Sequence, residues 1–315
     1  MPRTPLHLDP HCAVSAATQV LADGWCWRVV LDVARGHHRF DDLVAELGIS
    51  RKVLADRLEH LVARDVLRRS PYQDNPTRHD YVLTEQGKAL LPVLVGLQDW
   101  GDRWVLGAGE VTATSTAGAD ERRVRALVGG RVPEMVLPAT SGDGAVADGP
   151  TVLFAYPATG RPTPLPAGWS DIPGAAGCTL ENRLFRDRYA EFQAAGLAVQ
   201  GVSTQRAEEQ RAFADAERIP FPLLSDMGME LATALRLPTL RVADQTRLRR
   251  LVLVVDAERV VRAVRYPVLD LEDAIGWALA QGRKALKRRA TGRSAHSRPS
   301  GTSQRAARLG TERGR

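Results

Sequence analysis

The chain has 315 residues, 44% of them apolar, which is ample for packed cores and long enough for two domains. No apolar run reaches the ~18 residues of a membrane span, and no signal peptide is expected at the start. The three scattered cysteines, Cys12, Cys26 and Cys178, exclude a disulfide-stapled secreted scaffold and point to a reducing cytoplasm. The formal net charge of +6 is local, because residues 283–315 hold eleven Lys/Arg against Glu312, a net of +10 that leaves −4 for the rest.

Residues 13–22 and 25–34 read as helices with a break at Gly24, and Arg39 to Leu47 reads as a third, ended by Gly48. Ser50 is a good N-cap for the next, in which Leu54, Leu58 and Leu61 recur at helical spacing while Lys52, Asp56 and Glu59 fall on the other side. A helix, a glycine turn and a second helix suggest a DNA-reading unit. Val66-Leu67-Arg68-Arg69, a polar turn at residues 73–76, and Tyr81-Val82-Leu83-Thr84 then form a two-stranded wing. A last helix is expected from about Thr84 to Trp104, with Leu90, Leu94, Leu97, Trp100 and Trp104 on one face and Pro92 demanding a kink or a late start. Arg51, Lys52 and Arg57 on the second helix and Arg68, Arg69 and Arg78 on the wing are the candidate DNA contacts, since cations placed so can read base edges or clamp phosphates.

This order resembles the HxlR family of winged helix-turn-helix transcriptional regulators. The likeness is carried by Cys12, Gly24-Trp25, Arg39-Phe40, Gly48-Ile49-Ser50, Leu54-x-x-Arg57-Leu58, Tyr72, Pro76, Tyr81-x-Leu83-Thr84-x-x-Gly87 and Trp100-Gly101. It implies a homodimer on a palindromic double-stranded DNA operator, with the flanking helices in the dimer contact. Cys12 matches the place of a redox-sensing cysteine in such regulators; a structural thiol is the other reading of the same residue. Cys26, between Trp25 and Trp27, reads as core.

Residues 106–123, rich in Gly, Ala, Thr and Ser, read as a flexible linker between a 1–105 DNA-binding domain and a second domain over 124–282. In the second domain, strands at 151–156, 198–203, 251–255 and 259–265 alternate with helices at 181–195, 206–217, 227–236 and 270–281, the pattern of an α/β sheet covered by helices. The expected fold is thus an α+β winged helix domain followed by an α/β thioredoxin-like domain. Residues 283–315 read as a basic disordered tail, either an extra phosphate-binding arm or a solubilising end.

Cys178 follows Gly177 and opens a helical run, where free N–H groups and the positive helix end favour a thiolate. A buried small residue in a turn is the competing reading of one cysteine. The segment Cys178-Thr179-x-Glu181-x-x-x-Phe185-Arg186-Asp187 resembles the peroxidatic stretch of AhpC/TSA peroxiredoxins of the bacterioferritin-comigratory-protein type. Val152 to Pro157, Gly201-Val202-Ser203, Phe221 to Asp226 and Arg250 to Asp256 continue that resemblance. It implies catalysis by Cys178 as attacking thiol, Arg250 as the cation that holds the thiolate, and Thr179 and Glu181 as orienting groups, with a peroxide as substrate and a thiol as reductant. Two departures stand out. Arg183 occupies the place of the usual partner cysteine, and Pro157 and Thr159 precede a long Pro/Gly-rich insertion, Gly160 to Ala176, with Ala175 where threonine is expected. No metal cluster, nucleotide loop or cofactor is expected.

Together these features read as a cytoplasmic DNA-binding regulator with a fused thiol-reactive domain, redox-responsive through Cys178 and a distant second thiol. The alternative is a thiol peroxidase whose winged helix serves dimerisation or localisation. A third reading makes the second domain a degenerate ligand-binding module.

Overall fold

A computed structural model describes residues 12–21, 23–74, 77–105, 118–160, 177–242 and 245–295. The expected linker at 106–117, the insertion at 161–176 and the tail at 296–315 lie outside the described residues.

The first domain is built from α1 (Ala13–Leu21), α2 (Gly24–Ala34), α3 (Phe40–Leu47), α4 (Arg51–Ala63), β1 (Leu67–Asp74), β2 (Thr77–Leu83), α5 (Glu85–Lys88) and α6 (Leu91–Trp104). Gly24 does not break a helix but begins α2, because Asp23 caps it by accepting from the N–H groups of Trp25 and Cys26. Gly48 ends α3 with φ of 62°, and Ser50 caps α4 by accepting from Val53 N–H. Leu54, Leu58 and Leu61 are buried with Val29, Val30 and Leu43, so the leucine stripe is the core of the unit. The antiparallel β1–β2 pair forms the wing. The single last helix expected from Thr84 is two: Thr84 caps the short α5, and α6 begins at Leu91 with Pro92 in its first turn, where a missing N–H breaks no helical bond.

The second domain contains α7 (Gly118–Arg125), β3 (Val136–Ala139), β4 (Gly142–Ala145), β5 (Thr151–Ala155), α8 (Cys178–Asp187), α9 (Tyr189–Ala194), β6 (Ala198–Ser203), α10 (Ala207–Glu217), β7 (Leu223–Ser225), α11 (Glu230–Leu235), β8 (Thr239–Val242), β9 (Gln245–Leu248), β10 (Leu251–Val255), β11 (Val261–Arg265) and α12 (Leu271–Ala295). Its described residues form a seven-stranded sheet in the order β11-β10-β5-β6-β7-β3-β4. Strands β5, β6 and β7 run parallel; β10 and β3 join antiparallel. Every residue of β5 and β10 is buried, which explains why both read as unbroken apolar runs. Phe154 on β5 stacks on Phe185 of α8 at 4.2 Å and seats that helix on the sheet.

Four differences from the sequence reading have physical causes. The linker expected through residue 123 ends earlier, because α7 is anchored by buried Asp120, which pairs with Arg249 and accepts from the Tyr266 hydroxyl. The tail expected to be disordered from 283 is helical to Ala295, because its Ala, Lys and Arg extend α12 and Leu286 packs on the core. The β3–β4 hairpin was missed, since Pro138, Gly142 and Gly144 give it little strand character. The β8–β9 hairpin was missed because its residues are largely polar.

The two domains pack together. Leu91, Leu94 and Val95 of α6 share one apolar cluster with Leu231, Ala232 and Leu235 of α11, and Lys88 pairs with Glu230 at 3.5 Å.

Two glycine substitutions test the packing within the winged helix. A Cβ on buried Gly87 would lie 2.2 Å from the Val66 carbonyl oxygen, whereas one on exposed Gly96 of α6 meets nothing within 4 Å. Gly87→Ala is expected to lower stability by about 1–3 kcal/mol through overpacking, and Gly96→Ala to raise it by roughly 0.5–1 kcal/mol through helix propensity. Urea unfolding of the two variants beside the wild type measures both; a Gly87→Ala protein as stable as wild type would contradict the packing.

Candidate thiol centre and nucleic-acid interface

Cys178 is the first residue of α8 and 3% exposed, and Gly177 before it has φ of 99°, a conformation that needs glycine. Arg250, at the threshold of β10, is equally buried. Its Nη2 donates to Cys178 Sγ at 3.2 Å and its Nε donates to Glu181 Oε2 at 2.9 Å. The Ala158 main chain adds a hydrogen bond to the sulfur. The Asn182 side chain donates to the Cys178 carbonyl at 2.9 Å and ties the first turn together. Thr179 is half-buried in that turn.

Burial dominates the electrostatics. It pushes the Cys178 thiol above its ordinary value; Arg250 is the strongest opposing pull, and Glu181 adds to the rise. Burial thus opposes the thiolate that the helix end and Arg250 favour. Burial also raises Glu181 to about 7, against the pull of Arg250. Arg250 stays charged: burial opposes its charge, and Glu181 and Cys178 hold it.

A polar layer adjoins the thiol. The Tyr156 hydroxyl donates to Gln210 Oε1 at 3.2 Å, and Gln210 Nε2 donates to Ser203 Oγ at 3.1 Å. Thr159 gives its N–H to Gln205 Oε1 at 2.7 Å, and Gln205 Nε2 donates back to the Thr159 carbonyl at 3.0 Å. Gln205 and Gln210 escaped sequence reasoning, since isolated glutamines carry no spacing signal. Arg183 makes a two-pronged pair with Glu217 at 2.7 Å, so the usual partner-cysteine position is a surface clamp. Arg247 on β9 was also missed; burial lowers its pKa, and Cys178 is among the charges that act on it. The cluster Arg247-x-Arg249-Arg250 in an apolar neighbourhood was the available signal.

Arg249 faces away from the thiol. Its Nε donates to the Thr239 carbonyl at 2.7 Å and lies 3.3 Å from Asp120. Asp120 also pairs with Arg123, whose Nε donates to the carbonyl of Arg236, the C-cap of α11. A polar chain therefore runs from the strand start that bears Arg250 to the helix that packs on the winged helix.

On the first domain the expected DNA contacts are divided. Arg51 and Lys52 are exposed in the first turn of α4, Arg51 pairing with Asp41 at 2.7 Å and lying over the Phe40 ring. Arg57 turns inward instead and donates to Asp23 at 2.8 Å, locking α4 to the cap of α2. Arg69 and Arg78 are exposed on the wing. Arg68, on the opposite face from Arg69 by strand alternation, lines the crevice toward Glu134 and Glu230 of the second domain. Cys12 is half-buried, its thiol lowered by hydrogen bonds from Ser15 and Val14; Cys26 is fully buried and pushed up to about 11 by burial, with Asp23 adding to the rise. All three cysteines are free thiols.

The fold and site together define a winged helix joined to a thioredoxin-like body with an arginine-held thiol. Comparison with known proteins agrees. Residues 20–107 match the HxlR-like helix-turn-helix family, and residues 172–264 match the AhpC/TSA family. An uncharacterized HTH-type transcriptional regulator of Mycobacterium tuberculosis is 36% identical over 93 residues, 30% of this chain and 59% of that protein, so the chain spans less than two thirds of the first such relatives. The uncharacterized HTH-type regulator YvaP of Bacillus subtilis is 33% identical over 90 residues, 28% of this chain and 83% of YvaP. A protein of Mycobacterium tuberculosis named provisionally as a peroxiredoxin is 32% identical over 117 residues, 36% of this chain and 66% of its own. The chain belongs to the HxlR-like helix-turn-helix family and fuses to that domain a peroxiredoxin-like domain of the AhpC/TSA family.

Two measurements probe the thiol centre. Arg250→Gln removes the strongest pull toward the thiolate, so alkylation of Cys178 by iodoacetamide is expected to slow and its pH midpoint to rise further; an unchanged midpoint would contradict the role of the contact. Glu181 has a folded-state pKa near 7 against an ordinary 4.5, so the folded state binds the proton more tightly. Its contribution therefore declines as pH rises from about 4.5 to 7, and buried Asp226, also raised to about 7 by burial, acts in the same direction. Glu181→Gln is expected to flatten part of that decline in urea midpoints measured across this range.

Proposed function

We propose that this protein is a cytoplasmic DNA-binding transcriptional regulator that reacts with peroxides at Cys178 and transmits the oxidation to its winged helix. The observation that carries the reading is the Arg250–Cys178 contact at 3.2 Å, inside a body whose α11 packs on α2 and α6. In the proposed step, a peroxide enters the site and Arg250 stabilises the deprotonated sulfur. The sulfur attacks one peroxide oxygen, an S–O bond forms and the O–O bond breaks. The departing alkoxide or hydroxide takes up a proton and leaves as alcohol or water, and Cys178 becomes a sulfenic acid. Arg250 offsets the charge on the leaving oxygen, while Thr179 and Glu181 orient the site. A second thiol then condenses with the sulfenic acid, releasing water and forming a disulfide. Cys12, half-buried with a lowered pKa, is better suited to this than buried Cys26, and an external thiol can serve in its place.

Arg51, Lys52, Arg69 and Arg78 are the proposed contacts to operator DNA, with Arg57 held by Asp23 and Arg68 on the crevice side of the wing. Exposed Val93, Leu97 and Trp100 on α6 support a homodimer contact. The proposed units are a winged helix ending near residue 105 and a redoxin body from α7 through α12. The same Arg250 contact also favours the alternative, a thiol peroxidase whose winged helix serves dimerisation or localisation.

Operator binding by reduced and peroxide-treated full-length protein separates the two. Peroxide is expected to change wild-type affinity by about tenfold, a coupling of ~1.4 kcal/mol, and to leave Cys178→Ser unchanged. Peroxide turnover with a thiol reductant and no change in DNA affinity would select the peroxidase. Lys52→Gln and Arg69→Gln are each expected to weaken DNA binding and to reduce the slope of log affinity against log salt by about one.

A further inference from the structure

We propose that Arg247 and the pocket it lines select small organic hydroperoxides that carry a carboxylate. The pocket measures about 330 Å³, at the small end of the ~300–1,000 Å³ of small-molecule sites. It is framed by the turn between β6 and α10, by β9, and by the winged helix, which contributes Pro92 from the first turn of α6. Pro92, Met227 and Met229 give it an apolar side, and Arg206 and Arg247 a cationic one.

The pocket lies beside the thiol. Gln205 lines it, and the same side chain bonds both the N–H and the carbonyl of Thr159. Thr159 follows Ala158, whose main chain hydrogen-bonds to the Cys178 sulfur. Thr204 Oγ1 donates to the Thr246 carbonyl at 2.8 Å, which fixes β9 and so places Arg247. Cys178 is near enough for its charge to act on Arg247.

The three arginines around β10 have different commitments. Arg250 is held by Cys178 and Glu181, and Arg249 by Thr239 and Asp120. Arg247 is half-buried and donates to the neutral side-chain oxygen of Gln245. No ion pair holds it among the described residues; exposed Glu209 acts on it only at longer range. A partly desolvated guanidinium with a neutral partner attracts a carboxylate more strongly than one in water. A ligand whose carboxylate meets Arg247 can direct its peroxide group toward Arg250 and Cys178, with its short carbon skeleton against Pro92 and the two methionines. The assignment rests on the peroxide reading above and names its substrate. Cys178 takes the terminal oxygen as a sulfenic acid, and the hydroxy acid leaves.

Stopped-flow oxidation of Cys178 in the full-length protein tests the assignment. The probes are tert-butyl hydroperoxide bearing a carboxymethyl group on one methyl, and the methyl ester of that acid. The acid is expected to react faster than the ester. Arg247→Gln is expected to lower the acid-to-ester rate ratio about fivefold, the order of one partly screened charge contact. Arg247→Lys, which keeps the charge, is expected to retain most of the ratio, and Arg69→Gln on the wing all of it. A peroxide-free reading comes from the iodoacetate-to-iodoacetamide rate ratio at Cys178, followed by peptide mass spectrometry, which is expected to fall in Arg247→Gln as well. An acid no faster than its ester in the wild type, or either ratio unchanged in Arg247→Gln, overturns the assignment and leaves the peroxide reading standing. Oxidation of Cys178 by neither hydroperoxide overturns both.

Discussion

A positive guanidinium buried between a thiol and a carboxylate is the constraint on which the second domain turns. Burial opposes charge on Cys178, Glu181 and Arg250 alike, and the contacts that the thiol and the carboxylate each make with Arg250 offset part of that cost. The three must therefore be held within hydrogen-bond reach by rigid elements. The sheet fixes Arg250 at the start of β10, and α8 carries both Cys178 and Glu181, three residues apart on one helical face. The Phe154–Phe185 stack presses that helix onto β5, so core packing sets the distance across which the charges meet.

The neighbour of Arg250 gives this arrangement a longer reach. Arg249 and Arg250 are adjacent, and the one turns toward Asp120 and Thr239 while the other turns toward the sulfur. Asp120 then gathers Arg123 and the Tyr266 hydroxyl, and Arg123 closes on the C-cap of α11. Helix α11 is also the element that the winged helix touches through α2 and α6. The thiol site and the domain contact are thus joined by contiguous packed and hydrogen-bonded groups, the physical precondition for coupling between them.

The winged helix shows how packing reassigns charge. Arg57 looks like a groove-reading cation because it lies on α4, but Asp23 is left at the start of α2 with a carboxylate oxygen to satisfy, and Arg57 reaches it. Arg68 and Arg69 look alike in sequence, yet the two-residue period of β1 sends them to opposite faces, one of them toward the second domain.

Much of this protein was legible from its residues. The leucine period of α4, the Ser50 cap, the wing, and the buried runs of β5 and β10 are local patterns, and local patterns are what a linear sequence records. The pairing of Cys178 with Arg250, 72 residues apart, followed from family likeness rather than from spacing. Only the tertiary structure decided what depends on burial and long-range contact. It buried a thiol whose helix-end position alone argued for easy ionisation, and burial pushes its pKa up. It turned the end of a supposed linker into an anchored helix through Asp120. Desolvation and charge pairing are set by which distant groups share a volume, and no stretch of sequence carries that information by itself.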